Sequence, residues 1–306
     1  MTSLTILMGA YNGEKYISEQ LDSIFRQHYS NWKLIVSDDG STDRTLVILN
    51  RYLDEWPTEK INLREGPGLG FCKNFLSMAC DPSLSSNYYA FSDQDDLWKP
   101  EKLSLAIDWL DSIPSNTPAV YCGRTLSIDN NYKELGLSPH FTLPPGFRNA
   151  LVQNIGGGNT MIFNEAARKL LVIAGDNIDV PSHDWWLYIL VTGVGGVVKY
   201  DPVPTLFYRQ HDKNIVGENL SFGARYSRLL QLIKGRYRGW NEMHLTALVN
   251  ISKKFTPENQ QLLNDFEDMR NSDLVQRFRA FKKSRLYRQT TLGHLALFIA
   301  VLFKKV

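Results

Sequence analysis

Three acids stand within four residues in the run Phe91-Ser92-Asp93-Gln94-Asp95-Asp96. Carboxylates so close repel one another, which costs free energy unless something positive binds among them. Their oxygens are hard ligands suited to magnesium or manganese, ions that commonly take further ligands from substrate phosphates and water. As plain structure the run would be a solvated acidic turn, with Asp96 favoured near a helix start by the dipole. A second run, Ser37-Asp38-Asp39-Gly40-Ser41-Thr42-Asp43, has the residues of a turn and a helix cap. A cap accounts for Ser41 or Asp43 but not for the paired Asp38 and Asp39. A carboxylate there can accept hydrogen bonds from the imide N–H of a uracil or thymine ring, or from a ribose hydroxyl. Arg209, in Tyr208-Arg209-Gln210-His211, offers the rigid donor fork that clamps phosphate.

Such residues do chemistry only if a fold gathers them. Leu4–Met8 is an apolar run of the buried-strand kind, and Glu14–His28 carries Tyr16, Ile17, Leu21, Ile24 and Phe25 at helical spacing. Lys33–Val36, Ile61–Leu63 and Tyr88–Phe91 read as further strands. Thr42–Trp56, Gly70–Ala79 and Pro100–Ile113 read as the intervening helices, the last with Pro in its first turn. Continuous apolar strands alternating with amphipathic helices predict an α/β fold, a mainly parallel sheet covered on both faces. In such sheets ligands bind outside the carboxyl ends of the strands. Asn12 and Gly13, Asp38 to Ser41, and Asp93 to Asp96 all follow strands, so one edge can collect them. Further on, Ala119–Ile128, Thr160–Phe163, Val197–Tyr200 and Thr205–Tyr208 read as strands, and Glu165–Ala174 and Asp184–Thr192 as helices. Leu220–Lys254 and Pro257–Val306 read as wholly helical.

The 306 residues suffice for one large α/β domain or two moderate ones. A net charge of +2 gives no general case for nucleic acid as a partner. Cys72, Cys80 and Cys122 form no CxxC pair, which argues against a disulfide framework or zinc cluster and fits a reducing cytoplasm. Met1–Ala10 lacks a basic n-region and is expected to be a strand, not a signal peptide. No apolar run reaches the roughly 18 residues of a membrane span. The longest, Leu295–Phe303, is bracketed by Lys282, Lys283, Arg285, Arg288, Lys304 and Lys305. Upstream, Arg225, Arg228, Lys234, Arg236 and Arg238 lie among Leu229, Leu230, Leu232, Ile233 and Tyr237. The tail is therefore expected to lie on a membrane surface, an ordinary helical subdomain or an oligomer contact being the alternative.

Three ordered segments carry a family likeness. A strand followed by Tyr11-Asn12-Gly13-Glu14-Lys15-Tyr16-Ile17, then Val36 to Asp43, then Ser92 to Trp98, resembles the family 2 inverting glycosyltransferases, which have the GT-A fold. The likeness runs from about residue 4 to residue 212. It implies that Ala10, Tyr11 and Asn12, with Glu14, line the nucleotide pocket and that Asp39 contacts the base. It implies that Asp93 and Asp95 flank Gln94 as the DxD pair. Asp95 would be the direct ligand of Mg2+ or Mn2+, and Asp93 would hold ribose or the metal's water. His183-Asp184-Trp185-Trp186 stands where the family has its general base, often as Glu-Asp; His183 replaces that Glu, so the role falls to Asp184. A sugar hydroxyl is a poor nucleophile, and a carboxylate must take its proton. His211 lies where many members complete the metal site or touch diphosphate, with Asn214 and Gly217 beyond it. Gly66 to Gly70, with Lys73 and Asn74, resembles the loop under the donor sugar. Asn154 to Asn159 resembles the acceptor-side loop, where Gly157, Gly158 and Asn159 leave room for a sugar. Trp98, Trp185 and Trp186 can stack on sugar faces or fill the core.

The combination is most similar to bacterial rhamnosyltransferases of O-antigen and capsule assembly. It implies transfer of L-rhamnose from dTDP-L-rhamnose, or of another sugar from a UDP-sugar, to a lipid-linked or polysaccharide acceptor. The expected place of work is the cytoplasmic face of a bacterial membrane. The expected organisation is a catalytic domain over 1–217 and a helical, membrane-associating region over 218–306. A nucleotidyltransferase would carry a Gly-rich, Arg-containing loop after the first strand, where this chain has Ala10-Tyr11-Asn12-Gly13. A non-catalytic binding or scaffold protein should have lost the acids, and all are present.

Overall fold

The computed structural model describes residues 2–211 and 235–306. Asn214, Gly217, Arg225, Arg228, Leu229, Leu230, Leu232, Ile233 and Lys234 lie outside the described residues, as does the boundary expected at 217–218.

The first half alternates as its periodicity demands. β1 (Leu4–Ala10), α1 (Ile17–Phe25), β2 (Trp32–Asp38), α2 (Thr45–Glu55), β3 (Ile61–Glu65), α3 (Phe71–Ala79) and β4 (Tyr88–Ser92) follow one another. A two-residue strand, β5 (Leu97–Trp98), precedes α4 (Lys102–Leu110). Then come β6 (Ala119–Gly123), β7 (Leu126–Ile128), β8 (Glu134–Leu137) and α5 (Phe147–Ala150). A 3-10 turn at Gly158–Thr160 leads into β9 (Ile162–Asn164), α6 (Glu165–Ala174), α7 (His183–Gly193), β10 (Val197–Asp201) and β11 (Leu206–Arg209). Four further helices are α8 (Arg236–Leu248), α9 (Pro257–Asn271), α10 (Leu274–Ser284) and α11 (Thr291–Leu302).

The main sheet has the order β10-β6-β9-β4-β1-β2-β3. Its pairings are parallel except that β9 runs antiparallel to both β4 and β6. β1 shows why its apolar run is continuous. Leu4, Ile6, Met8 and Ala10 enter one core with α1, α2 and α4, while Leu7 enters the core on the other face. Strands buried on both faces are apolar at nearly every position; the polar Thr5 is accommodated by a 2.7 Å hydrogen bond with Ser86.

One expectation is corrected. The single strand read over 119–128 is two strands in different sheets. β6 ends at Gly123, a Cβ there would come within 3.1 Å of the Asp201 carbonyl, and the chain turns away. β7 then joins a second sheet of order β5-β11-β7-β8. The stretch after Pro257, read as helical, is made of three successive helices. Asp273 and Thr290 each cap a new helix, accepting from the N–H of Gln276 and Gly293.

α7 is buried at every residue but Asp184. It lies between the sheet and the later helices, which is where a helix apolar all round belongs. Trp185 meets Tyr237, Trp240 and His244 of α8 at 6.4, 6.0 and 4.7 Å. Phe281, Leu297, Val301 and Val306 belong to the same hydrophobic core as Trp186 and Phe91. No helix among the described residues is long and apolar enough to cross a membrane.

Candidate active site

Parallel register aligns the strand ends. Ala10 pairs with Asp38, Asp38 with Glu65, and Met8 with Ser92. The polar segments that follow β1, β2 and β4 therefore emerge together at the carboxyl edge.

The first two loops lock onto each other. Asn12 has a positive φ of 49°, its N–H donates to Ser41 Oγ at 2.9 Å, and its Oδ1 accepts from Thr42 N at 2.8 Å. Gly13 N donates to Thr45 Oγ1 at 2.8 Å. Glu14 accepts from Arg44 N at 3.0 Å, so this carboxylate braces the second loop. Asp38 staples its own turn, accepting from Ser41 N at 2.9 Å. Asp39 reaches the other way. Its two oxygens accept the N–H groups of Gly68 and Gly70, each at 2.8 Å, and thus hold the glycine loop over the edge. Gly68 and Gly70 both have positive φ, the backbone that loop requires. Tyr11 stands exposed at the rim.

The acidic loop is tied to the first strand by Gln94. Its Oε1 accepts from Tyr11 N at 3.0 Å and its Nε2 donates to Tyr11 O at 2.9 Å. Asp93 and Asp95 stand on either side of Gln94 in this loop. Asp93 is half-buried as a residue, yet its carboxyl is enclosed. Desolvation, with the charges of Asp95 and Asp184, pushes that carboxyl up to about 8. Asp95 Oδ2 lies 2.8 Å from His211 Nε2, and the His211 ring stacks on Tyr16 at 5.1 Å. Among the described residues no group of three or more potential ligands is already gathered for a metal. Asp95 and His211 nevertheless form an adjacent oxygen and nitrogen pair, beside a carboxyl whose tendency to ionise is lowered first by desolvation and then by like charges. A divalent cation with few protein ligands suits that set, since such ions complete their shells with phosphate and water.

Asp184 lies in the first turn of α7, close to the loop that meets Asp96 through Asn159. Its Oδ2 accepts from Gly158 N at 2.9 Å, and its Oδ1 accepts from Ser182 Oγ and from Trp185 N. Beside it His183 is buried against Phe75 at 4.0 Å and Phe91 at 4.6 Å. Burial pulls its imidazole down to about 4, so it is neutral. A Cβ at Gly158 would come within 2.5 Å of His183 Nε2, so that glycine makes room for the ring. Lys73 pairs with Asp179 at 3.2 Å, linking the donor-loop helix to the segment before Asp184.

Several expected contacts fall elsewhere. Arg209 is 1% exposed and is not presented as an open phosphate fork. Its guanidinium lies over the rings of Tyr16 and Tyr132, pairs with Glu19, and donates to the Asp95 carbonyl at 3.3 Å. It props the acidic loop from behind. Trp98, Trp185 and Trp186 are all buried, so none is free to stack on a sugar. Trp185 Nε1 donates to the Ala150 carbonyl at 2.7 Å, satisfying its polar end in the core. Asn159 is buried too, and its Nδ2 donates to Asp96 Oδ2 at 2.6 Å; of the three acceptor-loop residues, Gly157 stays exposed. Lys102, not singled out from the sequence, is buried beneath the acidic loop. Its signal was a cation on the buried stripe of α4 shared with Leu103, Ala106, Ile107 and Leu110. A separate cavity of about 450 Å3 opens at the opposite strand ends, near Lys33 and Ile61, away from these groups.

Comparisons with known proteins agree with this geometry. The family model described as Glycosyl transferase family 2 matches residues 5–171. The dTDP-rhamnosyl transferase RfbG of Shigella flexneri is 32% identical over 272 residues, covering 83% of this chain and 88% of that protein. The UDP-Glc:alpha-D-GlcNAc-diphosphoundecaprenol beta-1,3-glucosyltransferase WfgD of Escherichia coli is 30% identical over 156 residues, 51% of this chain and 57% of its own. Among solved structures, S. aureus TarS 1-349 superposes with a TM-score of 0.54 at 16% identity, covering 99% of this chain and 89% of that one. The mannosyltransferase PcManGT of Pyrobaculum calidifontis, in complex with GDP-Man and Mn2+, gives 0.54 at 17% identity, with 99% and 87% covered. At these identities the structural likeness speaks for the fold.

Proposed function

The chain belongs to glycosyl transferase family 2 and has the GT-A fold, and we propose that it is a metal-dependent, inverting enzyme that moves L-rhamnose from dTDP-L-rhamnose to a hydroxyl of a lipid-linked or polysaccharide acceptor. The observation that carries the mechanism is the meeting of the acidic loop with the start of α7: Asn159 Nδ2 donates to Asp96 at 2.6 Å while the neighbouring Gly158 N donates to Asp184 at 2.9 Å. The donor assignment is supported by the 32% identical rhamnosyl transferase, matched over most of both chains.

In this reading the acceptor oxygen attacks the anomeric carbon while the bond from that carbon to the diphosphate oxygen breaks. Asp184 takes the hydroxyl proton. Its hydrogen bonds from Gly158 N and Trp185 N hold the carboxylate in one orientation before the acceptor arrives. Asp95 and His211 would hold Mg2+ or Mn2+, which when bound supplies positive charge to the leaving diphosphate. Gln94 and Asn12 keep the β1 loop in place for the nucleoside. Asp39 holds the glycine loop, and each of its oxygens keeps a second acceptor direction for the base.

Donor hydrolysis over a panel of dTDP-L-rhamnose, UDP-glucose, UDP-GlcNAc and GDP-mannose, each with Mg2+, Mn2+ or chelator, tests the proposal. Turnover of the rhamnose donor in metal alone is expected. Asp95→Ala should abolish it and weaken donor binding in metal, and full activity in chelator would refute the metal role. Asp184→Asn should stop turnover and spare donor binding.

The tail supports a membrane-facing role. α11 buries Ala296, Leu297, Ala300 and Val301 against the core, but leaves Leu292, Leu295 and Phe303 exposed beside Lys304. Apolar burial with basic attraction is what surface attachment needs. Leu292→Ser with Leu295→Ser should reduce co-sedimentation with anionic vesicles, and an unchanged pellet would refute attachment through this face.

A further inference from the structure

The chain stays paired beyond the end of β11. Gln210 N donates to the Ile128 carbonyl at 2.8 Å, so the pairing with β7 runs on past Arg209. Residues two apart on an extended chain point to the same side, and Arg209 and His211 both meet the ring of Tyr16. The guanidinium lies 4.7 Å from that ring's centroid. The imidazole centroid lies 5.1 Å from it, with the two planes 23° apart. Such a spacing falls within the range of attractive stacked pairs. On the other side of the imidazole's task, Nε2 stands 2.8 Å from Asp95 Oδ2.

Tyr16 is itself fixed by several contacts. Its N–H donates to the Gly13 carbonyl at 3.0 Å, which ties it to the loop after β1. Its hydroxyl donates to Asn130 Oδ1 at 2.6 Å. Asn130 belongs to the turn between β7 and β8. Asp129 builds that turn, its Oδ1 accepting from the N–H groups of Asn131 and Lys133 at 2.8 and 3.0 Å. Tyr132 of the same turn donates to Glu19 Oε2 at 2.8 Å, and that oxygen also accepts from Arg209. Lys15 Nζ, 4.9 Å from the Tyr16 centroid, brings a second cation to the ring. α1 and the β7–β8 turn thus hold one phenol by its backbone, its ring and its hydroxyl. An imidazole turns about two side-chain bonds, and a partner that orients it before a cation arrives removes an ordering cost from binding. We infer that Tyr16 is a positioning residue for the cation, its ring holding the His211 imidazole against Asp95, a step that rests on the proposed metal role of Asp95 and His211.

The test measures Mn2+ binding to the full chain, with the metal alone as probe and free Mn2+ followed by electron paramagnetic resonance. The variants are Tyr16→Leu, Tyr16→Phe, His211→Ala, and Tyr16→Leu combined with His211→Ala. Losing the stack in Tyr16→Leu should weaken the Mn2+ Kd by about three- to tenfold. Tyr16→Phe keeps the ring and should stay within about twofold of the parent. His211→Ala should weaken binding by itself, and adding Tyr16→Leu to it should change Kd by less than about twofold, since the two act through one imidazole. An unchanged Kd in Tyr16→Leu, or an equal loss in the His211→Ala background, overturns the positioning and leaves the metal role standing. A Tyr16→Phe loss as large as that of Tyr16→Leu overturns the stack as its cause. If Tyr16→Leu does not fold, the parent chain decides by nuclear magnetic resonance. The His211 ring protons, identified by their absence from His211→Ala, should be shifted upfield by the Tyr16 ring, and unshifted signals overturn the proposal. If His211→Ala binds Mn2+ as the parent does, the metal role of His211 falls and the positioning with it.

Discussion

Gly13 has no side chain because Gln94 occupies the space. A Cβ built on Gly13 would land on Gln94 Oε1 and lie 2.5 Å from its Cδ. That amide is the free end of a flexible side chain, so in Gly13→Ala it should rotate away and leave the backbone in place. The cost is then the clamp it abandons, two hydrogen bonds to Tyr11 at 3.0 and 2.9 Å. A net hydrogen bond is worth about 0.5–1.5 kcal/mol, and these are near the surface, so the sum should be about 1–2 kcal/mol. Urea unfolding should show this as a shifted midpoint at constant slope. Gln94→Ala should lose the same clamp without a clash, by a similar amount. The informative protein is the double variant. If one clamp explains both effects, Gly13→Ala should be nearly neutral in the Gln94→Ala background, a coupling that independent sites do not show. A full additional penalty there would refute the reasoning and place the strain elsewhere in the loop. Donor affinity should weaken in all three proteins, because the clamp holds the nucleotide-side backbone to the acidic loop.

His183 and His244 are buried and neutral, drawn by desolvation down to about 4 and about 3. Below an unfolded value near 6.5 the unfolded chain takes protons that the folded one refuses, so stability should fall as pH drops from about 6.5 toward 4. Each histidine contributes up to about 1.4 kcal/mol per pH unit, so His244→Phe should make the decline between pH 6 and 5 shallower by roughly that amount, and an unchanged slope would count against it. Arg209→Met should cost about 2 kcal/mol of stability by removing charged hydrogen bonds. A phosphate clamp would instead lose donor affinity at constant melting temperature, and calorimetry beside melting separates the two. Truncation after about residue 280 should collapse the near-ultraviolet circular dichroism signal, because Phe281, Leu297 and Val301 share a core with Trp186; a folded, donor-binding truncation would show that core to be dispensable.

The carboxyl edge was readable because its signals are local. A buried parallel strand needs an unbroken apolar run, and the polar residue that ends the run is where a ligand can approach. Leu4–Met8 followed by Asn12, and Tyr88–Phe91 followed by Asp93, both behave so. Short edge elements were not readable. β5 has two residues and β8 is Glu134-Leu135-Gly136-Leu137, too little for a period to show. The division at Gly123 was hidden for a related reason. Both β6 and β7 are apolar, and periodicity is silent about which sheet a strand joins.

Side-chain roles at the site were legible only as far as residue type restricts partners. An acid cluster favours a positive partner, because like charges raise one another's cost, and the charge of Asp95 does bear on Asp93 after desolvation. Arginine implies an anion, but not which one. Glu19 from α1 and the rings of Tyr16 and Tyr132 claim Arg209, and no spacing between residue 19 and residue 209 announces that. Tryptophan is more ambiguous still, because the apolar surface that stacks on a sugar is the same surface that fills a core. The helix itself could have decided the matter. His183 to Gly193 is apolar on every side but for Asp184, so α7 must be enclosed, and an enclosed helix cannot offer Trp185 or Trp186 to a substrate. Asp184 is the exception for the same physical reason: the first turn of a buried helix reaches the surface where the helix begins, and Asp184 stands there only partly buried, its carboxylate accepting from Gly158 N.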